Sequence, residues 1–282
     1  MSRKYAILGE VLKHTMSPPI HKRLFELRER DFEYEIVEFS AEELAQKASY
    51  LNSMNGYNIT IPHKVEIIKY IDKLDESAKR YNSVNCVDNK DGVLTGYNTD
   101  CDGFLETVRS MGAKLSGEVL LIGCGGVGRM IAIESALAGA SLNIAVLKSD
   151  MPLAEQVEKE IRAMRDDARI NIVLNTEIDL SKHYDLLVNA CPVGMYPNID
   201  ACPVSDEVIN KCDAVFDLIY NPGETQLIKK SKALGKKAAG GMAMLVWQAV
   251  SAHKIWDGDE YTLDEINGII KEMNEIVKRD FK

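Results

Sequence analysis

The segment Leu120-Leu121-Ile122-Gly123-Cys124-Gly125-Gly126-Val127-Gly128 decides the fold. An apolar run leads straight into G-x-G-x-x-G, and residues 126–138 continue at helical spacing, so strand, glycine loop and helix follow in that order. The first glycine permits a tight turn, the second lets backbone approach a pyrophosphate, and the third allows close packing of helix on strand. The amides at the helix start, together with the positive end of its dipole, create a local anion site. Gly123, Gly125, Gly126, Val127 and Gly128 are therefore candidate contacts for a dinucleotide.

Outward from this segment the same βα pattern repeats, with strands expected at 142–147, 170–173, 185–190 and 214–218, a helix over 152–165 and a short strand near 237. Alternation of this kind implies a mostly parallel sheet covered on both faces. The N-terminal part alternates differently. A strand over 5–9 precedes an apolar face at Ile20, Leu24 and Leu27, and a second strand covers 32–39. Ser40 with Glu43 forms a capping box. A strand at 57–60 runs into Pro62, which suits a first helical turn, so a helix is expected from there through 71. Two short strands, 84–87 and 93–96, joined across Asn89-Lys90-Asp91-Gly92, read as a hairpin. The C-terminal part is helical, over 241–255 and again from Thr262, with Ile266, Ile270, Met273 and Val277 as a stripe. The expected class is α/β with two domains and an interdomain cleft: 1–102 plus 243–282 as an α/β substrate domain, and 103–242 as a Rossmann-type dinucleotide domain.

The length of 282 residues suits two domains of the usual ~150. With 46% hydrophobic and 27% charged residues the composition is that of a folded globular chain, without repeats or low-complexity linkers. A net charge of −9, spread along the chain, disfavours nucleic acid and anionic membrane as partners. The opening residues lack the apolar core of a secretory signal, and no stretch approaches a membrane span. The 6 cysteines form no CxxC pair, and Cys191, Cys202 and Cys212 lack the spacing of a zinc site, so free thiols, a cytoplasmic location and no metal are expected.

At the end of the strand over 143–147, where a Rossmann domain reads the adenosine ribose, stands Lys148-Ser149-Asp150. Lys148 suits a 2′-phosphate and Asp150 a 2′-hydroxyl, leaving NADP and NAD both open. Three further clusters are rich in hydroxyl, amide and ionisable groups: Thr15-Met16-Ser17-Pro18, Asn58 to Lys64, and Asn98-Thr99-Asp100, with Asn85 on the hairpin. Taken singly, each also reads as a helix cap or a solvated charge.

Over nearly the whole chain the ordered motifs resemble the shikimate dehydrogenase family. Its S-x-S-P appears as Thr15-Met16-Ser17-Pro18, its N-V-T-x-P-x-K as Asn58-Ile59-Thr60-Ile61-Pro62-His63-Lys64, and its V-N-T as Val84-Asn85-Cys86. Its N-T-D is Asn98-Thr99-Asp100 and its N-A-T-x-x-G-M is Asn189-Ala190-Cys191-Pro192-Val193-Gly194-Met195. Asp217-Leu218-Ile219-Tyr220-Asn221-Pro222 and the segment from Gly241 to Ala249 complete the series.

The resemblance implies a monomeric or homodimeric enzyme of aromatic amino acid biosynthesis, on the chorismate pathway, that reversibly reduces 3-dehydroshikimate to shikimate with NADPH. It implies Lys64 as acid in reduction and base in oxidation, with Asp100 bonding the substrate hydroxyl and orienting the lysine, as hydride delivery to a ketone requires a proton donor at the oxygen. Thr15 and Ser17, with Tyr220 as a third donor, would hold the ring carboxylate, while Asn85, Thr60 and Gln248 would bind ring hydroxyls. Asn189, Met195, Leu218, Gly241 and Met244 would contact the cofactor, the last four on its nicotinamide side.

Three departures matter. Thr15 replaces a serine, Cys86 and Cys191 replace threonines, and the family's Asn-Arg-Thr grip on the 2′-phosphate has no counterpart, Lys148-Ser149-Asp150 standing there instead. NADP(H) is favoured, with NAD(H) open. Two alternatives accompany the main reading: a quinate/shikimate dehydrogenase preferring NAD, and a non-catalytic dinucleotide- or metabolite-sensing protein that keeps the fold.

Overall fold

Buried apolar runs set the two sheets. The computed structural model describes residues 3–13 and 15–280, and the chain separates into two units, Met1–Gly103 with Leu245–Met273, and Phe104–Met244 with Asn274–Lys282.

In the first unit the elements are β1 (Arg3–Gly9), α1 (Ser17–Leu27), β2 (Phe32–Glu38), α2 (Leu44–Leu51), β3 (Gly56–Ile59), β4 (Lys73–Leu74), α3 (Glu76–Tyr81), β5 (Cys86–Lys90), β6 (Val93–Tyr97) and the start of α4 (Thr99–Ser110). The sheet order is β2-β1-β3-β5-β6-β4. β1 lies parallel to both β2 and β3, whereas β5 is antiparallel to β3 and β6. Tyr5, Ala6, Ile7 and Leu8 of β1 are all buried, as a central strand covered on both faces requires. One face packs Leu8, Leu51, Met54, Tyr57 and Ile67; the other gathers Tyr5, Phe25, Cys86 and Trp256. The indole N–H of Trp256 donates to the Val87 carbonyl at 2.9 Å, and a side chain at Gly56 would collide with that ring.

The second unit follows the expected alternation. Its elements are β7 (Glu118–Ile122), α5 (Gly126–Leu137), β8 (Ser141–Val146), α6 (Met151–Met164), β9 (Arg169–Leu174), β10 (Tyr184–Asn189), α7 (Asp206–Asn210), β11 (Cys212–Asp217), α8 (Gln226–Ala233) and β12 (Lys237–Gly240); α9 (Gly241–Asp257) and α10 (Leu263–Asp280) come next in the chain, and their residues 245–273 belong to the first unit. The strands are ordered β12-β11-β10-β7-β8-β9, every neighbouring pair parallel. From β7 the chain winds outward to β9, then returns to β10 and winds the other way, which creates a switch point between β7 and β10 where the strand ends open a ligand crevice.

The Ser40/Glu43 capping box and the hairpin are present. In the hairpin turn Asp91 and Gly92 adopt φ of 55° and 83°, and the Asn89 side chain accepts the Gly92 amide at 3.0 Å. The expected helix over 62–71 is not formed. A turn and a short 3-10 segment, Glu66–Tyr70, stand there, because the Lys64 carbonyl accepts the Val84 amide at 2.8 Å and so is tied to the segment that leads into β5. The stripe on α10 also shifts: Ile266, Ile269, Met273 and Val277 are buried, and Ile270 is only partly so.

Candidate active site

In the first unit, two loop ends bring an ammonium and a carboxylate together. The residues after β3 are held on several sides: the Thr60 amide donates to Leu8 O at 2.8 Å, and the buried His63 ring bonds Phe39 O through Nε2 at 2.9 Å while stacking on the Phe39 ring. A carbonyl only accepts, so Nε2 carries the ring hydrogen. From this pinned turn Lys64 Nζ donates to Asp100 Oδ2 at 2.7 Å, with the two side chains 24% and 14% exposed. Asp100 sits in the first turn of α4, its amide donating to Asn98 Oδ1 at 3.2 Å.

Beside this pair, the buried Asn85 is oriented by Thr99. Its Oδ1 accepts both the Thr99 amide (2.7 Å) and the Thr99 hydroxyl (3.2 Å), and its Nδ2 donates to Gln248 Oε1 at 3.2 Å. Thr60 is half-buried, its methyl lying where a Cβ on Gly9 would come within 2.8 Å. Thr15 and Ser17, both half-buried, flank the start of α1, where Thr15 Oγ1 accepts the Ser17 amide at 3.3 Å. The structure therefore brings together Lys64 with Asp100, Asn85 with Gln248, and Thr15 with Ser17.

Several residues in this region escape sequence reasoning. Tyr34 on β2 donates to Asn58 Oδ1 at 2.8 Å; burial, then the Cys86 thiol, pushes its phenol well above the ordinary value, against a hydrogen bond with Ser17. Tyr34 stacks on His21, whose Nδ1 lies 3.1 Å from His253 Nε2, and Tyr261 Oη lies 3.0 Å from His253 Nδ1. Burial holds His253 down to about 3 and His21 well below its ordinary value. The one available signal was Tyr34 itself, an aromatic between Glu33 and Glu35 on an alternating strand.

In the second unit, the glycine loop has the geometry its spacing implies. Gly123 takes φ of 86°, reserved in practice for glycine. A Cβ on Gly128 would sit 2.7 Å from Gly123 O, so the third glycine lets the helix close on the strand. At Gly125 and Gly126 a Cβ would meet nothing within 4 Å, leaving open space over the first amides of α5. That space, at the positive end of a 12-residue helix, fits a pyrophosphate. Val127 is exposed beside it.

After β8, Lys148 and Ser149 are exposed on a 3-10 turn, and Ser149 Oγ donates to Asp150 Oδ1 at 2.9 Å. Met195 is exposed, and Leu218 and Tyr220 are half-buried, burial raising the Tyr220 phenol. Three other residues expected at the cofactor are buried. Asn189 is fully buried, its amide engaged by Asp217 and by the Cys191 N–H. Gly241 and Met244 are buried too, and the former allows a close backbone crossing, since a Cβ there would collide with Leu218 O.

Among the described residues no cluster of three or more His, Cys, Asp or Glu could hold a metal, and no helix is long and apolar enough to cross a membrane.

Comparison with known proteins agrees with this geometry. A family model described as the shikimate dehydrogenase substrate binding domain matches residues 7–87. The shikimate dehydrogenase (NADP(+)) of Caldanaerobacter subterraneus subsp. tengcongensis is 34% identical over 269 residues, covering 93% of this chain and 94% of that protein. Among solved structures, shikimate 5-dehydrogenase from Thermus thermophilus in complex with NADP(H) and shikimate has a TM-score of 0.81 at 29% identity, covering 96% of this chain and 99% of that one. Quinate dehydrogenase from Corynebacterium glutamicum in complex with NAD has a TM-score of 0.82 at 26% identity, with coverage of 96% and 99%.

Proposed function

We propose, from the premise that this chain belongs to the shikimate dehydrogenase family, that it is an NADP-dependent oxidoreductase interconverting 3-dehydroshikimate and shikimate. The observation that carries the reading is the 2.7 Å contact between Lys64 Nζ and Asp100 Oδ2. The first unit binds substrate and the second binds the dinucleotide.

The bound nucleotide supplies the hydride in reduction and accepts it in oxidation. Negative charge then develops on the ketone oxygen, and a donor must meet it there. Lys64 gives that oxygen a proton from Nζ and takes one back in the reverse direction. Asp100 accepts a hydrogen bond from the substrate hydroxyl and keeps the ammonium aimed. Because Thr99 occupies the Asn85 oxygen, the amide NH₂ of Asn85 is the end left for a ring hydroxyl, with Gln248 and Thr60 as further partners. A site built to bond several hydroxyls rejects analogues that lack them. Thr15 and Ser17 donate to the ring carboxylate. On the cofactor side the α5 amides take the pyrophosphate, Lys148 and Ser149 the 2′-phosphate, and Met195 and Leu218 the nicotinamide.

A second reading turns the same chemistry toward quinate and NAD. It is supported by Asp150, by the lack of an arginine in Lys148-Ser149-Asp150, and by the extra methyl of Thr15 at the carboxylate end. Absorbance of the reduced nicotinamide during oxidation of shikimate or quinate, with NADP⁺ and NAD⁺ in turn, separates the two. Fastest turnover with shikimate and NADP⁺ is expected; silence with all four pairs would refute the enzyme reading. We also place the enzyme in the cytoplasm, as its free thiols suit, working as a monomer or homodimer, which sedimentation would decide.

A further inference from the structure

Asn189 and Asp217 are the last residues of β10 and β11 and face each other in register. Both are fully buried. Asp217 Oδ1 accepts from Asn189 Nδ2 (2.9 Å) and from the Ile219 amide (3.1 Å), and Oδ2 accepts from Thr225 Oγ1 (2.6 Å). One carboxylate thus ties the segment leaving β11 to itself at both ends, 219 and 225. It also fixes the Asn189 amide, whose own oxygen accepts the Cys191 N–H at 3.1 Å.

The segment leaving β10 is fastened at two more places. The Leu218 amide donates to Asn189 O at 3.0 Å, and the Tyr196 amide to Asn221 O at 3.1 Å, so the two loops hold each other. The β10 loop also abuts the glycine loop: a Cβ on Gly123 would lie 3.0 Å from Cys191 Cβ and 3.2 Å from Cys191 N. A continuous line of contacts therefore runs from Thr225 through Asp217, Asn189 and Cys191 to Gly123, along the strand ends where a doubly wound sheet takes its ligand.

Burying a carboxylate is costly even with hydrogen bonds, and an apolar residue would fill the same volume at lower cost. Burial raises the Asp217 carboxyl, while Thr225, the Ile219 amide and Asn189 pull it back. What an apolar residue would not do is fix two loops at once.

We propose that Asp217 is a positioning residue for the dinucleotide: its Oδ1 and Oδ2 hold the β10 and β11 loops in the form that receives the nicotinamide half, although Asp217 itself touches no ligand. The inference rests on the dinucleotide reading above and deepens it.

The test measures the Kd of NADPH by nucleotide fluorescence on the full-length protein and its variants, each well below its own melting temperature. Asp217→Ala removes all three acceptor contacts and is expected to weaken binding about tenfold or more, the scale of orphaned buried polar groups. Asp217→Asn keeps an acceptor at Oδ1 and is expected to stay within about threefold of the parent, a rescue that follows from the hydrogen-bond geometry. A residue with only a structural role would lower the melting temperature and leave the Kd of the folded protein unchanged; that outcome in Asp217→Ala overturns the proposal. If Asp217→Ala does not fold by circular dichroism, Thr225→Val decides, with a loss of about fivefold expected and an unchanged Kd overturning it. A parent protein that fails to bind NADPH would refute the dinucleotide reading instead, so the two failures are distinguishable.

Discussion

Thr99 decides which way the Asn85 side chain points. Its amide and hydroxyl both reach Asn85 Oδ1, at 2.7 and 3.2 Å, so the Asn85 NH₂ faces away, one hydrogen going to Gln248. Thr99→Val keeps the shape and removes the hydroxyl. One lost buried hydrogen bond of about 1 kcal/mol should raise KM for shikimate about fivefold while NADP⁺ KM stays constant. Steady-state kinetics with each substrate varied in turn checks the split; equal effects on both constants would assign Thr99 to folding alone.

Lys64 and Asp100 differ in what their loss should do. Lys64→Ala removes the proton donor and should lower kcat by about 10²–10⁴ with little change in shikimate affinity. Asp100→Asn keeps the size but not the charge, and should lower kcat by about 10² while raising KM. Near-normal kcat in Lys64→Ala would remove Lys64 from the chemistry.

The glycine loop offers a paired control. At Gly128 a Cβ would press within 2.7 Å of Gly123 O, so Gly128→Ala should cost about 1–3 kcal/mol of stability, read as a lower urea midpoint. At Gly126 a Cβ meets open space, so Gly126→Ala should fold with unchanged or slightly higher stability. That same Cβ fills the phosphate cradle, and NADPH should bind about tenfold more weakly. Normal binding by Gly126→Ala would place the pyrophosphate elsewhere.

Acid should act on the buried histidine pair. Both side chains are held neutral by burial, with His253 lowered to about 3 and His21 well below its ordinary value, while the unfolded chain titrates near 6.5. The unfolded state therefore binds more protons. The contribution is fully present above about pH 6.5 and is lost as pH falls from there toward about 3. Between about pH 6.5 and pH 5 the loss from His253 should be about 1.6 kcal/mol. Urea midpoints across that range would show it, and His253→Gln should flatten the slope.

Sequence and structure agree where neighbouring residues control the backbone. The strand, glycine loop and α5 follow from adjacent residues, as does the Ser40/Glu43 cap. Residues 62–71 differ because the deciding partner, the Val84 amide on Lys64 O, is distant in sequence. The same distance hides the site's supports. His21 and His253 are 232 positions apart, and nothing in either neighbourhood announces a pair. Asn189 is legible as important through its motif, yet its burial under Asp217 depends on the register of two strands.

The packing of Trp256 against Val87 and over Gly56 makes α9 an optical reporter. The chain has 2 tryptophans, Trp247 and Trp256, and both belong to the first unit. Indole emission therefore follows the melting of that unit alone, while the parallel sheet of the other loses its order without an indole signal of its own. Two noncoincident transitions, one in emission and one in ellipticity, would show the halves coming apart in sequence, and a single shared transition would show that they unfold as one cooperative body.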